Sequence, residues 1–179
     1  MNDLSSRIRV ALGDITLLDV DVIVTAANEA LRGGGGVDGA VHCAAGPELA
    51  AASRRLAPCP PGEARITAGF ELSATHVIHA VGPVFRDGAS GEAAKLASAY
   101  RNSLALAAEN GLSTIAFPSI STGVYGYPKE SAARIAIDTV IEWLRHNELP
   151  GMVTFCCFDP SDKKRYLERL GELGITSQG

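Results

Sequence analysis

Residues 20–42 read VDVIVTAANEALRGGGGVDGAVH, and this stretch joins a strand pattern to a glycine-rich loop and a helix. The β-branched run at 20–26 is typical of a strand. Four consecutive glycines, Gly33 to Gly36, follow it, and Asp38 comes after one intervening residue. Glycine lets a backbone approach a bound group closely. We therefore expect a loop rich in N–H donors, with a carboxylate at its exit.

Strand patterns alternate with alanine-rich helical patterns along the rest of the chain. Strands are predicted over 7–13, 20–26, 64–70, 76–82, 114–119 and 152–158. Apolar residues at helical spacing predict helices over 38–56, 92–110, 129–146 and 161–173, the third starting after Pro128. The alternation predicts an α/β fold with a largely parallel or mixed sheet. Ligands of such folds bind at the carboxyl ends of the strands.

The composition is typical of one soluble domain spanning residues 1–179, with 46% apolar and 20% charged residues. The formal net charge of −4 argues against nonspecific nucleic-acid binding, which normally needs a basic face, and no specific nucleic-acid partner is expected. The four cysteines form no Cys-x-x-Cys pair, so we expect no metal site and a reducing, cytoplasmic location. No apolar run reaches membrane-spanning length. We expect a monomer with no membrane partner.

The glycine run contains the spelling Gly-x-Gly-x-x-Gly, from Gly34 to Gly39. A dinucleotide-binding motif of that form follows a strand directly. Here the strand pattern ends near Thr25, and Asp38 lies inside the motif. A P-loop is excluded because no Gly-Lys-Ser/Thr follows. Taken alone, the segment is either an anion-binding loop or an ordinary flexible one.

A second donor-rich segment, PSISTGVYGYP at 118–128, ends the fifth predicted strand and leads into a helix. Its hydroxyls and N–H groups precede a helix N-terminus, a position that suits a phosphate. Tyr125 and Tyr127 either wall a sugar or base, or pack between the loop and the sheet. Two such loops at one edge of a sheet suggest a clamp on a diphosphate.

Asp14 and Asn28 each have two interpretations. Asp14, in GDIT after the first strand, either caps the next turn or accepts from an exocyclic amine such as that of adenine. Asn28 either bonds its own backbone as a turn residue or joins Asp38 in a polar site. His42 and His79 lie in helix and strand patterns and are predicted to pack.

Four segments together resemble the macrodomains: GDIT, residues 20–42, THVIHAVGPVF and AFPSISTGVYGYP. The similarity covers about residues 7–170. It is greatest to the MacroD-type ADP-ribose hydrolases, which include bacterial O-acetyl-ADP-ribose deacetylases. The resemblance implies a three-layer α/β/α sandwich around a central mixed sheet, with ADP-ribose in a cleft at the strand ends.

The resemblance also implies roles for single residues. Asp14 would accept from the adenine amino group, the Ile15 backbone would border the base, and Phe158 would stack on it. Asn28 and Asp38 match the catalytic pair at the distal ribose. The implied substrate-binding set is Asp14, Ile15, Asn28, Gly35, Gly36, Val37, Asp38, Ser121, Thr122, Gly123, Val124, Tyr125 and Phe158.

The implied reaction is hydrolysis of ester-linked ADP-ribose, from O-acetyl-ADP-ribose or from Asp and Glu side chains of mono-ADP-ribosylated proteins. Asp38 would activate the water as a general base, assisted by a substrate phosphate, and Asn28 would hold a ribose hydroxyl. Nearby phosphate charge is expected to raise the pKa of Asp38. No cofactor and no metal is expected.

One position departs from the family pattern, and three alternative functions remain. The chain reads VTAAN where the family usually reads VNAAN, so Thr25 replaces the first asparagine. A non-catalytic ADP-ribose reader is the main alternative, and the pair Asn28 and Asp38 argues for the enzyme. A poly(ADP-ribose) glycohydrolase is disfavoured because no glutamate pair follows the glycine loop. An RNA-related role has little support from the acidic balance.

Overall fold

The computed structural model describes residues 3–178. Its strands and helices are β1 (Ile8–Leu12), β2 (Val22–Ala26), α1 (Gly36–Ala45), α2 (Pro47–Arg54), β3 (Ala64–Ala68), β4 (His76–Ala80), α3 (Glu92–Glu109), β5 (Thr114–Phe117), α4 (Lys129–His146), β6 (Met152–Cys157) and α5 (Pro160–Glu172). Short 3-10 turns occupy Leu4–Ser6 and Ile15–Leu17. All six predicted strands are present, each slightly shorter than predicted. Among residues 3–178, none of the helices combines the length and the hydropathy of a membrane-spanning segment.

The strands form one sheet in the order β1-β6-β5-β2-β4-β3. Every pairing is parallel except that of β3 with β4, which is antiparallel. The sheet is therefore mixed, as the sequence predicts. Because β1, β6, β5 and β2 are consecutive and parallel, the segments that follow them emerge side by side at one edge.

Helices cover both faces of the sheet. On one face α3, α4 and α5 form a core with strand residues that include Val24 and Phe155. On the other face Val41 of α1 and Leu49 of α2 form a second core with Ile23. Val24 and Ile23 are neighbours on β2 and point to opposite faces. The result is the predicted three-layer α/β/α sandwich, and its two buried faces explain the continuous apolar strands.

The prediction of one helix over 38–56 is wrong. α1 starts earlier, at Gly36, and a separate helix, α2, starts at Pro47. Gly46 between them has φ 87° and ψ 176°, a backbone conformation that is open essentially to glycine alone. Pro47 begins α2 at a position where the missing N–H breaks no helical hydrogen bond.

Candidate active site

Asp38 lies in the first turn of α1, directly after the glycine loop, and only 4% of its surface is exposed. Thr25, near the carboxyl end of β2, donates its hydroxyl to Asp38 Oδ1 over 2.9 Å. Burial raises the pKa of Asp38, while the hydrogen bond from Thr25 and the charge of His42 oppose that rise. A carboxylate with a raised pKa is a stronger base at neutral pH, which suits proton abstraction.

His42 lies one helical turn after Asp38, and its Nε2 is 3.5 Å from Asp38 Oδ1. The sequence-based expectation that His42 merely packs misses this contact. The spacing i, i+4 on one helix is the signal that indicates it. A Cβ added at Gly33 would lie 3.4 Å from the His42 ring, so the loop backbone rests against the imidazole.

A second histidine extends this polar cluster beneath α1. His79 pairs with Thr25 across the β2–β4 register and is fully buried. Its ring centroid is 6.1 Å from that of His42, and its Nε2 is 3.0 Å from Thr67 Oγ1. Its Nδ1 has no hydrogen-bond partner within residues 3–178. Burial, with a smaller contribution from His42, lowers the pKa of His79 to about 4, so the ring is neutral at pH 7.

Asn28 braces the start of the glycine loop. Its Nδ2 donates to the Gly33 carbonyl over 2.9 Å, and its Oδ1 accepts from the Arg32 N–H over 3.2 Å. The turn interpretation of Asn28 is therefore what the structure shows. An amide nitrogen carries two hydrogens, so one donor of Asn28 stays free for a ligand.

The glycine loop ends at the start of α1, where Gly35 precedes the helix and Gly36 and Val37 are its first two residues. Gly33 and Gly36 have φ of 80° and 58°, in the left-handed region that favours glycine. Val37 packs at the margin of the core under α1. No side chain of the described residues caps α1. Its first N–H groups therefore lack intrahelical partners and point toward any anion bound there.

The loop between β5 and α4 contains a strained serine. Ser121 has φ 69°, is buried, and its hydroxyl has no hydrogen-bond partner among residues 3–178. A buried, unpaired hydroxyl on a left-handed residue is uncommon. Thr122 donates to Ser119 Oγ over 2.9 Å, and Gly123 and Val124 are exposed at the tip. The loop thus offers one unused buried hydroxyl and an open tip.

The two tyrosines of this loop differ. Burial, followed by the negative charges of Glu29 and Asp38, raises the pKa of Tyr125. Its phenol therefore lies within electrostatic reach of both carboxylates. Tyr127 is buried and packs edge-on against Phe85, with ring centroids 4.9 Å apart, as the packing interpretation predicts.

Asp14 lies at the far end of the same edge, after β1. Its Oδ1 accepts from the backbone N–H of Thr16 over 2.9 Å and from the Thr16 hydroxyl over 2.7 Å, so the capping interpretation is observed. The side chain of Ile15 is buried. Phe158 follows β6 and is 89% exposed. A backbone hydrogen bond of 2.9 Å joins the end of β1 to the end of β6, so these two segments lie together.

The strand order sets the candidate residues in a row along one edge of the sheet. Residues 14–15 and 158 occupy one end, 121–125 the middle, and 28–38 the other end. An open depression of about 550 Å³ adjoins the last segment and is lined by Glu29, Ala30, Arg32, Arg54, Ala57 and Pro58. Within residues 3–178, no group of three or more His, Cys, Asp or Glu side chains is placed to hold a metal ion.

Comparison with protein families identifies the family to which the chain, with this fold and this candidate site, belongs. Residues 24–136 match the Macro domain family. The chain belongs to that family, and the resemblance seen in its motifs is confirmed. A macro domain-containing protein of Mesorhizobium japonicum is 53% identical over 173 residues, which are 97% of this chain and 98% of that protein. A Cronobacter sakazakii protein named O-acetyl-ADP-ribose deacetylase is also 53% identical, over 94% of this chain and 96% of its own length.

Solved structures agree with this assignment. The Oceanobacillus iheyensis macrodomain with ADP matches with a TM-score of 0.91 at 43% identity, over 96% of this chain and 94% of that chain. The Trypanosoma brucei macrodomain in complex with ADP-ribose matches with a TM-score of 0.86 at 41% identity, over 92% of this chain and 69% of that chain.

Proposed function

We propose that this macrodomain is a hydrolase that binds ADP-ribose and cleaves esters of it. The substrates are O-acetyl-ADP-ribose and proteins mono-ADP-ribosylated on Asp or Glu. The observation that carries the proposal is the position of the buried Asp38, which follows the glycine loop, accepts a hydrogen bond from Thr25 and lies beside His42. The name of the Cronobacter sakazakii relative, at 53% identity, supports the deacetylase activity.

The proposed binding mode follows the row of segments along the edge. The adenine lies between Asp14 and Phe158, with Asp14 Oδ2 as acceptor because Oδ1 is occupied by the cap. The diphosphate lies between the uncapped start of α1 and the loop from Ser121 to Tyr125, whose exposed tip supplies backbone N–H groups to it. The distal ribose lies between Tyr125 and Asn28. Macrodomains that bind ADP and ADP-ribose at over 40% identity support this mode.

Asp38 acts as the general base in the proposed chemistry. It takes a proton from a water, and a substrate phosphate shares in orienting that water. The water oxygen adds to the carbonyl carbon of the ester, and the bond between that carbon and the ribose oxygen breaks. The proton held by Asp38 passes to the ribose oxygen of the released ADP-ribose. The acyl group leaves as acetate or as a free Asp or Glu side chain. Burial raises the pKa of Asp38, and the phosphate charge adds to that rise. Asn28 holds a ribose hydroxyl through its remaining amide hydrogen.

A protein substrate needs space beyond the ribose. The open depression lined by Glu29, Arg32 and Arg54 adjoins the segment that carries Asn28. We propose that this depression receives the side chain of the modified protein.

We further propose that the chain works as a monomeric single domain in the cytoplasm. Its four free cysteines fit a reducing compartment.

The alternative function is an ADP-ribose reader without turnover. One observation favours it: both polar ends of the Asn28 amide are already bonded to the loop backbone. A side chain that braces the loop supports ligand binding without taking part in the chemistry.

The first test compares wild type with Asp38→Ala. Release of free ADP-ribose is measured from O-acetyl-ADP-ribose and from a glutamate-linked mono-ADP-ribosylated protein, with the affinity for ADP-ribose by calorimetry. Because a placed general base contributes roughly 10²–10⁴-fold in rate, Asp38→Ala should lose that factor and keep its affinity. Equal turnover in both proteins excludes Asp38 as the base. Tight binding without turnover by the wild type makes the protein a reader.

A further inference from the structure

We propose that Thr25 is a positioning residue, whose hydroxyl fixes one oxygen of the Asp38 carboxylate and leaves the other free for the attacking water. The role rests on the proposed function, in which Asp38 is the base. It concerns the position at which this chain departs from the usual asparagine of the family.

The hydrogen bond between Thr25 and Asp38 joins a strand to a helix. Thr25 is a strand residue with 0% exposure, and Asp38 is in the first turn of α1. The 2.9 Å hydrogen bond between them ties the end of β2 to the start of the helix. A β-branched threonine has a stiff χ1, so its hydroxyl stays aimed at the carboxylate. Because both groups are buried, water does not readily replace the bond if it is removed.

The two oxygens of Asp38 have different surroundings. Oδ1 accepts from Thr25 and is the oxygen nearest His42, at 3.5 Å. Oδ2 has no protein hydrogen-bond partner among residues 3–178. The terminal torsion of an aspartate is broad and roughly two-fold, so a carboxylate without an anchor presents either oxygen. The Thr25 bond removes that ambiguity.

Several ionisable groups surround Asp38, and they define what Thr25 adds. His42 approaches from α1, and His79 lies behind it on β4 as a neutral ring. Tyr125 approaches from the β5–α4 loop. Burial raises the pKa of Asp38, and the Thr25 bond is the larger of the two influences that oppose it. Loss of the hydroxyl therefore keeps Asp38 protonated up to a higher pH.

The same geometry accounts for the departure from the family pattern. An asparagine amide and a threonine hydroxyl both offer a hydrogen-bond donor. Thr25 supplies a donor to Asp38, so this position offers Asp38 a hydrogen bond despite the departure. The wild-type chain should therefore retain turnover despite the replacement.

The test uses Thr25→Val, which keeps the β-branched shape and removes the hydroxyl, and Thr25→Ser, which keeps the hydroxyl. The pH dependence of kcat/KM on O-acetyl-ADP-ribose is measured, together with affinity for ADP-ribose and Tm. Thr25→Val should lose roughly tenfold in kcat, with its acidic limb moved up by about one pH unit. Its affinity for ADP-ribose should stay within about twofold. Thr25→Ser should keep the wild-type limb and most of the rate.

Superimposable pH profiles for wild type and Thr25→Val overturn the positioning role. If Thr25→Val does not fold, Thr25→Ala is compared with Thr25→Ser, and equal profiles in that pair also overturn it. Titration of the Asp38 carboxyl by NMR, in protein without ligand, separates this role from the proposed function. A wild type without turnover on either ester refutes the hydrolase. An unchanged Asp38 pKa in Thr25→Val refutes the role of Thr25, whether or not the wild type turns over.

Discussion

Asp38 and His79 show how one buried cluster keeps one member chargeable and the other neutral. Burial raises the pKa of Asp38 and lowers that of His79 to about 4, and both shifts favour the uncharged form. Asp38 has Thr25 and His42 to limit its shift. For His79 the influence of His42 adds to that of burial. The Asp38 carboxylate therefore remains available as a base, whereas the His79 imidazole stays neutral and packs behind it.

His79 predicts a dependence of stability on pH. Its pKa of about 4 in the folded protein lies below the ~6.5 of an unfolded chain. As pH falls from 6.5 toward 4, the unfolded state binds the proton first, so the free energy of unfolding decreases. The contribution is about 2 kcal/mol between pH 7 and pH 5. His79→Gln removes the titrating group and keeps a donor for Thr67. Between pH 7 and pH 5 the free energy of unfolding of this variant should therefore decrease by about 2 kcal/mol less than that of wild type. Urea unfolding at both pH values measures the difference.

His146→Gln is the control for His79→Gln. His146 is exposed near the end of α4, beside Glu142. Its removal should leave the difference in unfolding free energy between pH 7 and pH 5 nearly as in wild type. The same difference in His79→Gln as in wild type contradicts the assignment of the pH effect to His79.

At the scale of single residues the sequence predicts identities better than contacts. The motif around Asp38 and Asn28 can be recognised from the sequence because its residue types and their order are specific. The bond from Thr25 to Asp38 spans 13 positions and depends on where α1 docks on β2. The contact of His42 with Asp38 is local, and the helix predicted over 38–56 already places the two residues at i, i+4 spacing. Sequence periodicity therefore indicates the His42 contact but gives no sign of the Thr25 bond.

At the scale of elements the two long helices were predictable and the α1–α2 pair was not. α3 and α4 match their predicted ranges to within one residue at each end. In the first helical region Val41, Ala45 and Leu49 recur every four residues and are all buried. That spacing continues through the break, so the apolar pattern cannot reveal it. The backbone conformation of Gly46 makes the break, and only Gly and Pro in sequence hint at it.

Gly46→Ala tests the importance of this break. The conformation at φ 87° and ψ 176° is strained for alanine, and the added Cβ would lie 2.7 Å from Glu71 Oε2. Since Glu71 can move aside, the backbone strain dominates, and the free energy of unfolding should fall by about 1–3 kcal/mol. Gly171→Ala is the matched control, because Gly171 lies in α5 with open space around its Cβ position. Gly171→Ala should be neutral or stabilising by up to about 1 kcal/mol. Thermal and urea unfolding of both variants give the comparison, and a neutral Gly46→Ala contradicts it.

At the scale of the whole molecule the two edges of the sheet have different tasks. The carboxyl edge carries the candidate site. At the amino edge Arg7 precedes β1 and joins it to the end of α4 and the segment before β6. Its guanidinium donates to the carbonyls of Leu144, Asn147, Glu148, Pro150 and Gly151, at 2.8 to 3.3 Å. These partners lie 137 to 144 residues away in sequence, so no local pattern predicts them.

Arg7→Met should therefore separate stability from binding. It keeps much of the side-chain length and leaves the carbonyls without their donor, so the free energy of unfolding should fall by about 3 kcal/mol. Arg9→Met, at an exposed position on β1, removes the same charge without these bonds and should change the free energy of unfolding by less than about 0.5 kcal/mol. Because Arg7 lies at the edge opposite the candidate site, ADP-ribose affinity by calorimetry should stay within about twofold for both variants, measured well below the lower Tm. A weakened affinity in folded Arg7→Met would mean that the two edges are coupled through the sheet and that the division of tasks is wrong.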